Sequence, residues 1–286
     1  MNRLDCSSTA AYSFINCHWT SCSVPGDAGA AIKCASSNSL LTVTGCSFSF
    51  CTAPHQGGAI HTFGLHTLDV KESFFYRCST NTISDNQGSG AVWINTIQQR
   101  LCVSENSFIS CTSKASGGAF ILWKCHANIK GAEVINNCRY IDCNATDETP
   151  DGGAVWICNN SQLIGFTNCF FSLCNALTGY GGSFRHEGSA YQPQSFPIRY
   201  CFFNNNRGTY GNDVYLNFSP SDPPLLHCFS TTDTNRFTFW DVTSNRLCNP
   251  ENQNDWLPLD YLQHLNTSMF ISVQSLSVSF FTFIPH

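Results

Sequence analysis

A four-residue block, Gly-Gly-Ala followed by an apolar residue, recurs along the chain at a nearly fixed interval, and nothing else in the sequence restricts the fold as strongly. It reads Gly29-Ala30-Ala31-Ile32, Gly57-Gly58-Ala59-Ile60, Ser89-Gly90-Ala91-Val92, Gly117-Gly118-Ala119-Phe120, Gly152-Gly153-Ala154-Val155, Gly181-Gly182-Ser183-Phe184 and, divergently, Gly211-Asn212-Asp213-Val214. Its third position falls at 31, 59, 91, 119, 154, 183 and 213, so the intervals are 28, 32, 28, 35, 29 and 30 residues. A second block keeps step: Cys, Ser or Asn, then an aromatic two residues on, then Cys three further. Its instances are Cys17-Trp19-Cys22, Cys46-Phe48-Cys51, Ser73-Phe75-Cys78, Asn106-Phe108-Cys111, Cys138-Tyr140-Cys143, Cys169-Phe171-Cys174 and Cys201-Phe203-Asn206. Three residues before each stands an apolar residue: Phe14, Val43, Val70, Val103, Ile135, Phe166 and Ile198.

The chemistry of one period selects the architecture. Leu40-Leu41-Thr42-Val43-Thr44 and Leu68-Asp69-Val70-Lys71 alternate apolar and polar residues, the two-residue period of a half-buried strand. Between landmarks lie Gly-, Asn-, Ser- and Asp-rich turns such as Thr80 to Gly90 and Asn144 to Gly153, and no stretch sustains a helical period. About thirty residues carrying two or three short strands make one coil of a β-solenoid, each strand pairing in parallel with its counterpart in the next coil, roughly 4.8 Å away. The expected fold is all-β: a right-handed parallel β-helix of about seven coils, its hand taken from the bias of parallel crossovers. Each landmark then becomes a column, with stacked rings filling the interior and Gly-Gly placed where the turn into a strand has no room for a side chain.

These blocks resemble the Gly-Gly-Ala-Ile and Phe-x-x-Asn repeats of the chlamydial polymorphic outer membrane proteins, and the large predicted β-helix repertoires of some protists, over roughly residues 12 to 217. The resemblance implies the pectin-lyase-like right-handed β-helix and a role in cell-surface display or adhesion. Cys replaces the final Asn in six of the seven coils, and only Asn206 retains it. The 69 residues after Asn217 are too few for the membrane barrel that ends the bacterial proteins, so their export route is not implied.

Only 12% of residues are charged and the net charge is −5, which argues against nucleic acid because no basic face is available to replace phosphate counterions. The 18 cysteines fall mainly into two columns, Cys22–Cys51–Cys78–Cys111–Cys143–Cys174 and Cys17–Cys46–Cys138–Cys169–Cys201. Coil-to-coil disulfides in an oxidising compartment are one reading; small, buried, mildly polar packing groups are the other. Parallel Cβ vectors on in-register strands favour the second, and the spacing does not assemble a zinc tetrahedron. No signal-peptide core opens the chain; a truncated start or a further coil upstream is expected. The apolar stretch Met269 to Ile284 is too interrupted for a spanning helix and reads as one or two strands. Sequons begin at Asn144, Asn159, Asn217 and Asn266.

A carbohydrate-active site would need carboxylates projecting from neighbouring coils at matching positions. Among the acids in or near strands (Asp69, Glu72, Glu105, Glu133, Asp142, Glu187 and Asp213), Glu72 and Glu105 do correspond, each preceding a Ser73 or Asn106 landmark. A solvated strand face accounts for them as well. In Arg185-His186-Glu187 the first and third side chains share one face of a strand and His186 takes the other, which is a salt-bridging surface strand rather than a triad. His61 and His66 lack partners at ligand spacing, and Asp213 is expected to cap backbone amides in a terminal turn. No catalytic, cofactor-binding or metal residue is assigned.

The domain reading is a β-helix over 1–217 and a capping region over 218–286, entered through Ser219-Pro220-Ser221-Asp222-Pro223-Pro224 and carrying Phe237, Phe239, Trp240 and Trp256. The functional expectation is a non-enzymatic, secreted or surface-displayed repeat protein that binds a glycan or a host or neighbour-cell surface protein, or serves structurally. A lyase or glycoside hydrolase acting around Glu72 and Glu105 is the alternative.

Overall fold

The computed structural model describes residues 3–37, 39–81, 88–124, 135–146, 148, 150–158, 165–187 and 198–217, and the strands Leu226–Ser230, Phe237–Asp241 and Arg246–Cys248, residues from 217 onward as backbone. Every regular element among them is a strand. One winding shows how they are laid out. Ile60–Phe63 lies in a first sheet, Thr67–Lys71 and Phe74–Tyr76 form two successive tracks of a second, and Ser79–Thr80 lies in a third; the next winding then begins at Val92–Asn95. Each strand inside the stack pairs in parallel with its equivalent one repeat before and one after, producing a β-solenoid of about six turns.

Register follows the sequence blocks residue for residue. In the first sheet the Ala31 amide donates to the Ala59 carbonyl at 2.9 Å, Ala59 to Ala91 at 2.9 Å, Ala91 to Ala119 at 3.0 Å and Ala119 to Ala154 at 2.9 Å. The apolar landmarks Phe14, Val43, Val70 and Val103 are likewise partners in the second sheet. Inside, Trp19, Phe48, Phe75, Phe108, Tyr140, Phe171 and Phe203 form one continuous stack, with centroids 4.7 to 5.2 Å apart and planes within 8° of parallel. Strand spacing and ring thickness together enforce this arrangement, since a planar ring between identical neighbours fills the interior without a void.

The Gly-Gly block has a steric cause. A Cβ at Gly58, Gly90, Gly118 or Gly153 would overlap the carbonyl oxygen of the corresponding glycine one coil on. Two backbones therefore approach here as closely as atoms allow, and only hydrogen fits.

Each coil also turns at two residues in the left-handed region, placed immediately before the two Cys/Ser/Asn landmarks. They include Glu72 and Arg77 in one coil, Glu105 and Ser110 in the next, and Asn168 and Leu173 further on, with φ of 49–58°. Such a conformation is unfavourable for residues with a side chain, so the surrounding ladder must enforce it. The αL residue keeps its own ladder bond, as when the Phe50 amide donates to the Tyr76 carbonyl at 2.9 Å. The landmark after it swings its amide inward, out of the ladder, where a side chain must receive it.

The stack does not stop at residue 217. Leu226–Ser230 pairs in parallel with Ile198–Asn204, and Phe237–Asp241 with Val214–Asn217, before Arg246–Cys248 closes the first sheet antiparallel. The expected break at 219–224, the Trp256 cap, the strands at 269–284, Glu133 and the sequons at Asn159 and Asn266 lie outside the described residues. At the other end the ladder already includes Leu4–Cys6, paired with Ile32–Ala35.

Candidate functional site

Two outward-facing groups stand out from the regular scaffold. The first lies on the outer face of the first sheet. Sequence periodicity predicted half-buried strands, yet Val92-Trp93-Ile94, Phe120-Ile121-Leu122 and Val155-Trp156-Ile157 are buried on both faces. Continuous apolar runs of this kind are the signature of a parallel strand covered on both sides, and that signal was present in the sequence. The result is a second apolar cluster, Trp93, Ile121, Trp156 and Cys158 with Trp123 against them, outside the solenoid core. His61 extends it, its ring stacked on Trp93 at 4.7 Å. Burial, reinforced by the nearby Lys33 charge, pushes the His61 imidazole down to about 4, so it is neutral at pH 7.

This row is bounded by charge at each end. At the N-terminal end Asp27 accepts from Lys33 Nζ at 2.8 Å and bridges Arg3 at 2.6 Å. Burial works against the Asp27 carboxylate, but hydrogen bonds from Lys33, the Ala28 amide and Arg3 outweigh it and hold its pKa well below the ordinary range. At the other end Arg185 pairs with Asp151 and Glu187, its guanidinium over the rings of Tyr180 at 4.7 Å and Tyr215 at 5.6 Å. Burial pushes the Tyr215 hydroxyl up to about 12 although Arg185 opposes it. The expected facing of this strand holds: Arg185 and Glu187 point outward and His186 is buried inward. Asp151 and the tyrosines were not read from sequence, because they come from neighbouring turns.

The second group is solvent-facing. Phe50 and Phe74 are 45% and 38% exposed, with Tyr76 between them. Phe50 meets the Tyr76 ring edge-on at 5.4 Å, and the Arg77 guanidinium lies 5.2 Å from the Tyr76 centroid and 5.9 Å from Phe50. The αL corners create the cluster: Phe50 and Arg77 occupy the same corner in consecutive coils and are forced outward there. Short side chains flank the rings, Ser47 and Ser107 being the ladder partners of Phe74 in the adjoining coils. Among the described residues Arg77 makes no ion pair, so its charge faces solvent beside two aromatic rings.

Glu72 and Glu105 are one rung apart, at αL corners that are both exposed. Asp69 instead sits between Lys71 at 3.9 Å and Arg100 at 3.5 Å. Asp213 departs from expectation. It is fully buried, its backbone carbonyl accepts the Ser183 amide at 2.9 Å, and its carboxylate takes a hydrogen bond from Asn206 Nδ2 at 3.0 Å. It lies within the stack rather than in a terminal turn, because Phe237–Asp241 adds a further strand beyond Val214–Asn217.

The cysteine columns resolve into a hydrogen-bond ladder. The thiol of Cys143 donates to the Phe108 carbonyl of the preceding coil at 3.4 Å, Cys174 to Tyr140 at 3.5 Å and Cys78 to Phe48 at 3.5 Å. In the other column Cys169 donates to the Ile135 carbonyl at 3.3 Å. The fifteen cysteines whose side chains are described are unbridged thiols, and burial pushes Cys78, Cys138, Cys143 and Cys169 well above the ordinary thiol range. Among the described residues no three His, Cys, Asp or Glu side chains converge as a metal site, and no helix is long and apolar enough to cross a membrane. No family model, no curated protein and no solved structure matches this chain.

Proposed function

We propose that the protein is a non-enzymatic binding scaffold, secreted or displayed at a cell surface, that contacts a glycan or a surface protein of a neighbouring cell through the flank bearing Phe50, Phe74, Tyr76 and Arg77. The observation that carries this reading is an exposed aromatic cluster with a solvent-facing guanidinium, flanked by serines in the adjoining coils. Aromatic faces stack on apolar faces of sugar rings and of protein side chains alike, and an arginine beside them adds directional hydrogen bonds. The finer fold reading, a right-handed helix of the pectin-lyase-like type, belongs to the same proposal and rests on the crossover bias and the repeat resemblance. Surface placement is compatible with the ladder thiols, whose burial keeps oxidants and partner thiols away from them.

Binding of the full chain to an array of glycans and to intact cells tests the proposal. Phe74→Ala and Arg77→Ala are each expected to weaken capture by about tenfold, the scale of one lost stacking or cation–π contact in a desolvated site. Equal capture by both variants overturns it.

The alternative, a polysaccharide lyase or hydrolase, has one observation in its favour: Glu72 and Glu105 lie on adjacent rungs beside the same flank. Chain cleavage of pectate or alginate that disappears in Glu105→Gln would replace the scaffold reading with this one.

A further inference from the structure

The flank that carries Phe50, Phe74, Tyr76 and Arg77 extends well beyond that cluster. The strands Ser47–Ser49, Phe74–Tyr76, Ser107–Ile109, Arg139–Ile141 and Phe170–Ser172 are consecutive ladder partners. Each is followed by one αL corner residue, in order Phe50, Arg77, Ser110, Asp142 and Leu173. In every strand the middle residue belongs to the buried ring stack, so the first and third point away from the core. The face they form runs about 19 Å along the solenoid, four strand spacings. Its outermost corners, Phe50 and Leu173, are 45% and 48% exposed apolar side chains. Two exposed ions of opposite sign stand between them, Arg77 and Asp142. Among the described residues neither makes an ion pair, and the Asp142 carboxylate accepts from Ser110 Oγ at 3.0 Å and Asn144 Nδ2 at 3.1 Å.

This pattern is symmetric about the strand Ser107–Ile109. One spacing to either side stand Arg77 and Asp142; two spacings to either side stand Phe50 and Leu173. A two-fold axis along that strand, with two solenoids antiparallel and face to face, sets Arg77 of each copy opposite Asp142 of the other and Phe50 opposite Leu173. The strand residues agree with the corners. Phe74 meets Arg139, ring against guanidinium, Tyr76 meets Ile141, and Ile109 meets its own copy. Residues 107 and 110 are serines, so no bulky side chain on the axis holds those positions apart. Glu105 is the like-charged pair on the axis, and it lies at an exposed corner on the rim, where salt screens it. An axis one strand earlier sets Arg77 against Arg77, and one strand later Asp142 against Asp142, so the charges select this register.

We propose, resting on the binding reading above, that the surface protein this flank contacts is a second copy of this chain, the two packing antiparallel about Ser107–Ile109. The face is small against the roughly 800 Å² per partner of a standard interface, so one contact is weak and copies arrayed on facing surfaces hold by avidity. Beads coated with the full 286-residue chain are expected to cluster. Sedimentation velocity at up to about 500 μM is expected to show a reversible dimer with Kd on the order of 100 μM. Arg77→Asp and Asp142→Arg, both at a corner where the native chain itself accommodates an arginine, are each expected to weaken self-association by about tenfold or more. An equimolar mixture of the two variants regains opposite charges at both contacts and is expected to pair within about threefold of the native chain. A native chain that neither clusters nor dimerises, a single variant that self-associates like the native, or a mixture no better than its components each overturns the proposal. Capture of glycans or cells that Phe74→Ala weakens while the native chain stays monomeric overturns this partner and leaves the scaffold reading standing.

Discussion

Asn206 reaches back one coil and serves two groups at once: its Oδ1 accepts the Cys174 backbone amide at 2.9 Å while its Nδ2 donates to the Phe171 carbonyl at 3.2 Å. Asn106 does the same in the other column, accepting the Ser73 amide at 3.0 Å and donating to the Val70 carbonyl at 2.8 Å. Ser73 accepts the Cys46 amide at 3.2 Å. Cysteine fills the remaining rungs in the same sense. The Cys22 amide faces Cys51 Sγ, and the Cys51 thiol points to the Trp19 carbonyl at 3.9 Å. The columns are thus one device written in three residue types, each able to accept and donate where an αL corner has turned a buried amide out of the sheet.

This makes a substitution series informative. Cys143→Ala leaves the Phe108 carbonyl without its thiol donor and opens a small void, so it is expected to cost about 1–3 kcal/mol in denaturant unfolding. Cys143→Asn, which restores both hydrogen-bonding functions at similar volume, is expected to lie within about 1 kcal/mol of the native protein. Alkylation of the protein unfolded without reductant is expected to modify all 18 cysteines; a shortfall of two or more would place disulfides in the columns.

Gly118→Ala puts a methyl group into the Gly153 carbonyl oxygen and the Asn144 amide of the next coil. Backbone cannot yield there without separating two coils, and a loss of about 3 kcal/mol or more is expected. Gly64 provides the contrast. It has φ of +73° but nothing within 4 Å of a Cβ, so Gly64→Ala is expected to cost about 1 kcal/mol from backbone strain alone. Thermal melts of the two variants separate crowding from strain.

His61 makes stability depend on pH in a defined window. Its folded pKa of about 4 lies below the unfolded 6.5, so between those values the unfolded chain binds more protons. Stability is therefore full above pH 6.5 and declines as pH falls toward 4, by an amount of order 3 kcal/mol for a gap of this size. His61→Phe keeps a ring on Trp93 and is expected to flatten the profile in that window. The depressed Asp27 carboxylate adds a separate stabilising contribution, present above the ordinary Asp range and lost as pH falls below it.

Tyr140 is the only phenol in the central ring stack, and its buried hydroxyl finds only a weak sulfur partner, the Cys138 thiol. Removing a poorly satisfied buried hydroxyl while retaining the ring is favourable. Tyr140→Phe is expected to raise the unfolding midpoint by an increment corresponding to about 1 kcal/mol. A lower midpoint would show that the hydroxyl contributes to packing against its neighbours.

Much of the interior was legible before any coordinates. Phe48, Phe75 and Phe108 had to coincide because a parallel coil brings each residue within one strand spacing of its counterpart, so a fixed period in sequence becomes a fixed column in space. The candidate flank was not legible. Phe50 and Arg77 occupy a position where other coils carry Ser21, Ser110 and Asp142, and no periodicity distinguishes them. The buried outer row of Trp93 and Trp156 was missed for a different reason: alternation was read from the second sheet and extended to the first, whose strands are apolar on both faces.

By itself, the sequence determined the strand-bearing repeat, its register and the membership of each column, since these follow from one-dimensional periodicity and from the volume and flexibility of the side chains. Only the tertiary structure decided what each column does. Whether a cysteine packs, bridges or donates depends on which amide and carbonyl the preceding αL corner turns toward it, and those groups belong to the neighbouring coil, about thirty residues away in the chain. Likewise it was the corner geometry, and no property of Phe50 or Arg77 alone, that placed two side chains from different coils over one tyrosine ring.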